Sequence, residues 1–235
     1  MAVRSDGKRT EKKILTACVR LFLEQGYHQT TMRQILSEAG VSAGSFHNLF
    51  HGKDGVLLEL VRFMFENQFD TARSSTFSDL PPVYTYATET AIQLTLTELN
   101  ENLRDIYLEA YSCRETLAYI QSATAGELYR IFGAYQPELH ERDFRTLELC
   151  SAGIMRGCME VPCSADFPLD EKLYTFLLAA LRVYRVPEEE IERVTHFVLA
   201  LDVRGIAQQV MEALFRSLAM RYDFSLAGIV EKTDE

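Results

Sequence analysis

Apolar residues recur with helical spacing along almost the whole chain. Ile14, Ala17, Cys18, Leu21 and Phe22 stand at i, i+3, i+4, i+7 and i+8, one stripe of a helix expected over residues 8–25. Gly26 follows, where a left-handed residue commonly ends a helix. Thr30 or Thr31 can cap a second helix, with Met32, Ile35, Leu36 and Ala39 as its inner face. Gly40 stops it after roughly two turns. Ser42 can cap a third short helix, about 43–49, that is expected to bury Phe46, Leu49 and Phe50. A fourth opens at His51-Gly52-Lys53-Asp54, turns Leu57, Leu60, Val61 and Met64 inward, and runs to about residue 73.

Residues 74–82, SSTFSDLPP, form the clearest break. Long amphipathic segments follow near 83–102, 103–113, 115–135, 138–160, 170–186, 188–202 and 205–222. In one of them Leu173, Phe176, Leu177, Ala180, Leu181 and Tyr184 share a face. Neither strand alternation nor an internal repeat interrupts the pattern. The expected architecture is all-α, with a three-helix helix-turn-helix head on a larger C-terminal helical body. The expected division is 1–54 for the DNA-binding head and 55–235 for an effector-binding and dimerisation body, with the helix at about 53–73 as connector.

Charge sharpens this division. The chain carries a formal net charge of −10, which by itself argues against a nucleic-acid partner. Residues 1–55, however, hold eight basic and five acidic side chains, a net of +3, and the remainder holds −13. A positive head on an acidic body fits a protein that offers one tip to phosphate and repels it elsewhere. No apolar run is long enough for a membrane span, and the start, MAVRSDGKRTEKK, has no apolar core of a secretory signal, so a cytoplasmic protein with no membrane partner is expected.

Signals for catalysis are missing. The sequence has no P-loop, dinucleotide fingerprint, HExxH or GxSxG, so no enzyme, catalytic residue, cofactor or metal is expected. The five cysteines, at 18, 113, 150, 158 and 163, form no CxxC pair and read as incidental thiols, with a redox or metal role for Cys150, Cys158 and Cys163 as the alternative.

The informative stretch is Thr31 to Asp54, TMRQILSEAGVSAGSFHNLFHGKD. It describes two short helices joined by a tight turn in which Gly40 can take the left-handed conformation. The second presents Ala43, Gly44, Ser45, His47 and Asn48 outward. Small residues allow close approach to a groove, and polar ones bond base edges or phosphates. This stretch resembles the DNA-binding domain of the tetracycline-repressor (TetR) family of bacterial regulators, in the spacing of Thr31, Ile35, Ala39, Gly40, Val41, Ser42, Gly44, Ser45, Phe50 and Lys53. The likeness spans about residues 8–60. His47 stands where the family usually has tyrosine, and Leu49 where it usually has histidine.

The resemblance implies that Ser42, Ala43, Gly44, Ser45 and Asn48 enter the major groove of double-stranded operator DNA. Thr31, Arg33 and His47 would meet phosphates beside it, and Lys53 would reach one from the start of the fourth helix. The basic segment Arg4–Lys13 would add a flexible grip. The resemblance further implies a homodimeric transcriptional repressor with a ligand cavity among the central helices. Candidate ligand contacts are Tyr107, Tyr111, Phe132 and His140, and the many aromatics suggest an apolar or aromatic small-molecule effector. The alternative keeps the head but gives the body a cysteine redox or protein-partner input, or makes the protein an activator.

Overall fold

A computed structural model describes residues 2–74, 80–227 and 229, with side chains placed for 7–65, 80–227 and 229. The described residues form eleven α-helices: α1 (Ala2–Gln25), α2 (Met32–Ala39), α3 (Ala43–Phe50), α4 (Lys53–Ser74), α5 (Pro82–Leu99), α6 (Glu101–Ser112), α7 (Arg114–Phe132), α8 (Glu141–Glu160), α9 (Leu169–Val183), α10 (Glu188–Leu199) and α11 (Val203–Tyr222). No strand occurs among them beyond an isolated bridge between Ser164 and Phe167. The fold is thus all-α, a helix-turn-helix head on a helical body.

The head condenses around α1. Ile14, Cys18, Val19 and Phe22 of its apolar stripe are fully buried, with Ile35 from α2 and Leu57 from α4. Arg20 holds α1 to α2 by bonding Glu24 at 3.0 Å and Glu38 at 2.6 Å. The helix begins at Ala2 rather than at residue 8. The backbone of the whole basic segment Arg4–Lys13 is therefore helical, and the expected flexible grip is corrected to that extent. The side chain of Arg4 lies outside the described residues.

In the body, α5 is the central helix. Every residue from Ala91 to Thr97 is buried, as expected of a helix enclosed on all sides. Its threonines are satisfied internally, Thr95 Oγ1 donating to the Ala91 carbonyl at 2.8 Å and Thr97 Oγ1 to that of Leu94 at 2.7 Å. Pro82 at its first position sets its start; residues 75–79 of the expected break lie outside the described residues. A buried ionic knot fastens the far end of α5. Lys172 Nζ, with no exposed surface, donates to Glu98 Oε1 at 2.6 Å and to the Val161 carbonyl. Arg104 lies 3.2 Å from Glu98 Oε2, and the Cys163 amide donates to that oxygen at 2.9 Å. Burial opposes ionisation of Glu98, but the Lys172 and Cys163 hydrogen bonds and the two cations outweigh it and hold the carboxyl below the usual range.

Candidate nucleic-acid interface and the cavity behind it

The two short helices are closed by local chemistry. Thr31 caps α2: its Oγ1 accepts from the Gln34 amide at 3.3 Å, and the Thr31 amide donates back to Gln34 Oε1 at 2.8 Å. Gly40 ends α2 at φ 60°, the left-handed conformation the turn requires. Ser42 caps α3, its Oγ accepting from the Ser45 amide at 3.1 Å. Phe46 and Phe50 point inward with ring centroids 5.8 Å apart and pin α3 to the core. Gly55 lets the first turn of α4 press on α3, since a Cβ there would lie 2.1 Å from the Phe50 carbonyl oxygen.

This packing leaves Ser42, Ala43, Gly44, Ser45, His47 and Asn48 exposed along one face. Leu49 joins them at 38% exposure, so the expectation that it belongs to the core is corrected. Phe46 and Phe50 define the inner direction, and Leu49, one residue before Phe50, is rotated about 100° from it. Thr31 and Arg33 are also exposed, at the start of α2. Lys53 is placed differently from an open phosphate contact. Its Nζ donates to the carbonyls of Tyr27 and Thr30, each at 2.9 Å, and sits 4.3 Å from the Tyr27 ring centre. Tyr27 in turn donates to Asp54 Oδ1 at 2.6 Å. Lys53 thus fastens α4 to the loop between α1 and α2.

Behind the head lies a cavity of about 690 Å³, its open mouth included, walled by α4 to α9. Phe65, Tyr86, Tyr111, Leu128, Met155 and Phe176 supply apolar surface, and Gln93, Thr124, Glu148 and Ser151 supply polar groups. Gln93 Nε2 donates to the Tyr111 hydroxyl at 2.9 Å. Glu148, 8% exposed, accepts at Oε2 from Ser151 Oγ at 2.9 Å and from the Tyr184 hydroxyl at 3.2 Å. Burial pushes its carboxyl up to about 7, and the two hydroxyl hydrogen bonds only partly oppose this.

Of the four candidate ligand residues, the structure brings Tyr111 to the cavity and leaves three outside its lining. Tyr107 is buried in the core. Phe132 is fully buried and stacks on Tyr184 at 4.2 Å. His140 is exposed where α8 begins, its amide donating to Asp143 Oδ2 at 2.8 Å. An aromatic side chain with helical spacing is as easily core as cavity wall, so residue type alone does not separate Tyr107 and Phe132 in the core from Tyr111 in the wall. Glu148 escaped the sequence reading, although a signal was present: it stands in register with Phe144, Ala152, Met155 and Met159 on the buried stripe of α8.

Two helices join the cavity to the head. α4 carries Phe65 in the cavity wall and Lys53 at the head, about 18 Å apart along the helix. α6 carries Tyr111 in the wall, while Asp105 and Glu109 meet His28 of the head: Asp105 bonds the His28 amide at 2.8 Å as well as Nδ1, and Glu109 lies 3.4 Å from Nε2. Asn102 of α6 adds a hydrogen bond to the Leu23 carbonyl at 2.9 Å.

The cysteines form no disulfide among the described residues. Burial pushes Cys18 up to about 12 and raises Cys158 and Cys163 as well, the opposite of the low-pKa thiolate that a redox sensor uses. Nor do His, Cys, Asp and Glu gather into a metal-binding group among the described residues.

Two capped short helices with a solvent-facing polar face, carried on a helical body, define a helix-turn-helix DNA-binding protein. Residues 14–60 match the family described as bacterial regulatory proteins, tetR family. Among curated relatives, an uncharacterized HTH-type transcriptional regulator YuxN of Bacillus subtilis (strain 168) is 30% identical over 41% of this chain and 31% of its own length. The HTH-type transcriptional regulator HbdR of Aromatoleum sp. (strain CIB) is 42% identical over 24% of this chain and 26% of its own. The HTH-type transcriptional repressor KstR2 of Rhodococcus jostii (strain RHA1) is 34% identical over 32% of this chain and 35% of its own. The chain thus spans about a third or less of the length of these relatives. No solved structure matches it. No described helix is long and apolar enough to cross a membrane.

Proposed function

We propose that the chain is a cytoplasmic, homodimeric transcriptional repressor that binds operator DNA through α3 and releases it when a small molecule enters the cavity behind the head. The observation that carries this is the exposed face from Ser42 to Asn48, held rigidly between two capped helices. A helix of this size enters a major groove with its N-terminal residues against base edges. In this reading Ser42, Ala43, Gly44, Ser45 and Asn48 meet bases, while Thr31, Arg33 and His47 meet phosphates. Lys53 can offer a phosphate its third N–H, because two are already directed at carbonyls.

One head touches few bases, so useful specificity calls for two. The outward face of α8 supports pairing. Leu149 is 50% exposed, Cys150 is exposed beside it, and Gly153 and Gly157 leave open space where a partner helix can approach closely. Release follows from the levers described above. A ligand that displaces Phe65 or Tyr111 moves α4 or α6, and both are fastened to the head. The two heads then leave their spacing of about 34–36 Å, and affinity falls. The test is fluorescence anisotropy with a duplex from upstream of the chain's own gene. Tight binding that is lost when Ala43, Ser45 and Asn48 are replaced together supports the reading; binding indifferent to those replacements refutes it.

A further inference from the structure

The chemistry of the cavity limits what can fill it, and the inference drawn from it rests on the effector reading above. Glu148 reaches the cavity from the middle of α8 and is 8% exposed. Both of its hydroxyl donors, Ser151 and Tyr184, reach Oε2; among the described residues no donor reaches Oε1. Glu89 and Glu127 also line it, Glu127 already paired outside the lining with Arg130 at 2.5 Å, and among the described residues no Lys, Arg or His lines it. Rings from Phe65, Tyr86, Tyr111 and Phe176 make up much of the rest.

Three classes of occupant face this surface differently. An anion meets carboxylates where little water screens them. A purely apolar molecule covers Glu148 Oε1 without giving it a donor, which is costly for a buried polar atom. A cation supplies the missing charge, and ring faces attract it further. We propose that the cavity binds an organic cation with an apolar body, its positive nitrogen seated between the Glu148 carboxylate and the rings of Tyr86 and Tyr111.

Ionisation of Glu148 adds a measurable signature. The titratable groups that act on it are Tyr86 from α5, Tyr111 from α6 and Tyr184 after α9; Glu89 from α5 and Glu127 from α7, the latter paired with Arg130, line the same cavity. Burial raises all three phenols above their ordinary range, so they stay neutral at physiological pH. A cation favours the charged carboxylate, so its binding strengthens as pH rises through about 7, the value to which burial lifts Glu148.

The experiment titrates the full chain, without DNA, with three fluorescent probes of one ring system: (1-naphthylmethyl)trimethylammonium, 1-naphthylmethanol and 1-naphthalenesulfonate. The cation is expected to bind about tenfold or more tighter than the alcohol at pH 8, and the sulfonate weakest. The cation's advantage shrinks at pH 6, and Glu148→Gln brings the cation and alcohol affinities together. Equal or weaker binding of the cation at pH 8, a pH-independent preference, or a preference that survives Glu148→Gln in folded protein overturns the proposal. Because the wild-type pH series needs no variant, the test stands even if Glu148→Gln folds poorly. Operator release is measured separately. Release by the alcohol but not the cation contradicts the cation class and leaves the effector reading intact. Glu148-dependent cation binding that leaves operator affinity unchanged supports the class and contradicts the effector reading.

Discussion

Asn48 and Lys53 lie close in sequence, yet substitution should expose two different roles. Asn48 is exposed on the polar face of α3. Asn48→Ala should change base preference by about 1–3 kcal/mol at the positions it reads and leave stability nearly unchanged. Lys53 is tied to two carbonyls and a ring. Lys53→Ala should lower unfolding stability by about 1–3 kcal/mol and weaken binding to operator and random DNA alike. Chemical denaturation and duplex titrations at fixed salt separate the two effects; equal loss on all sequences for both variants contradicts the assignment. Glu148 gives a third case. Its folded carboxyl is raised to about 7, so its contribution to stability is present in acid and lost as pH rises from the unfolded carboxylate range through about 7. Glu148→Gln should flatten that part of the stability profile, measured by denaturant midpoints between pH 5 and 8. At this scale the sequence was only partly legible. Leu49 is apolar and lies between two inward phenylalanines, so residue type suggested burial where helical angle put it at the surface. Glu148 is polar and looked solvent-facing although its register placed it on a buried stripe.

Elements were far easier to read than residues. The spacing of Ile14, Cys18 and Phe22, or of Leu173, Phe176 and Leu177, reports which face of a helix is buried, and that depends on local pattern alone. Caps were readable for the same reason, because Thr31, Gly40 and Ser42 act on their own neighbours. What pattern could not show was how helices enclose a space: α5 is buried all round from Ala91 to Thr97 and offers no single stripe there, and a cavity is a relation among several helices. The junction of α3 and α4 depends on a close approach that no propensity reports. Gly55→Ala places a Cβ against the Phe50 carbonyl. It should destabilise the head by about 1–3 kcal/mol, as overpacking does, and weaken operator binding. An unchanged denaturation midpoint contradicts that close approach.

Over the whole molecule, the positive head and acidic body set how the protein meets DNA. In the proposed reading phosphate contacts come from one tip, so affinity should fall steeply with salt while the acidic body limits non-specific binding. The proposed coupling between cavity and head must be reciprocal: a ligand that weakens operator binding must itself bind more weakly to the DNA complex, by the same factor. Pairing of two chains through α8 has its own consequence. Cys150, exposed beside Leu149, should form an interchain disulfide under mild oxidation, abolished by Cys150→Ser and seen as a doubled mass on a non-reducing gel. If a dimer forms in solution and Cys150 never joins its chains, the pairing runs through another face.

α3 is the element proposed to read a duplex. The direct measurement is a competition titration of the purified chain between a fragment from upstream of its own gene and a scrambled fragment of equal length, at physiological salt. Preference for its own fragment by about a thousandfold or more, abolished when Ala43, Ser45 and Asn48 are replaced, is the predicted result. Equal affinity for both fragments, or a preference untouched by those replacements, would contradict it.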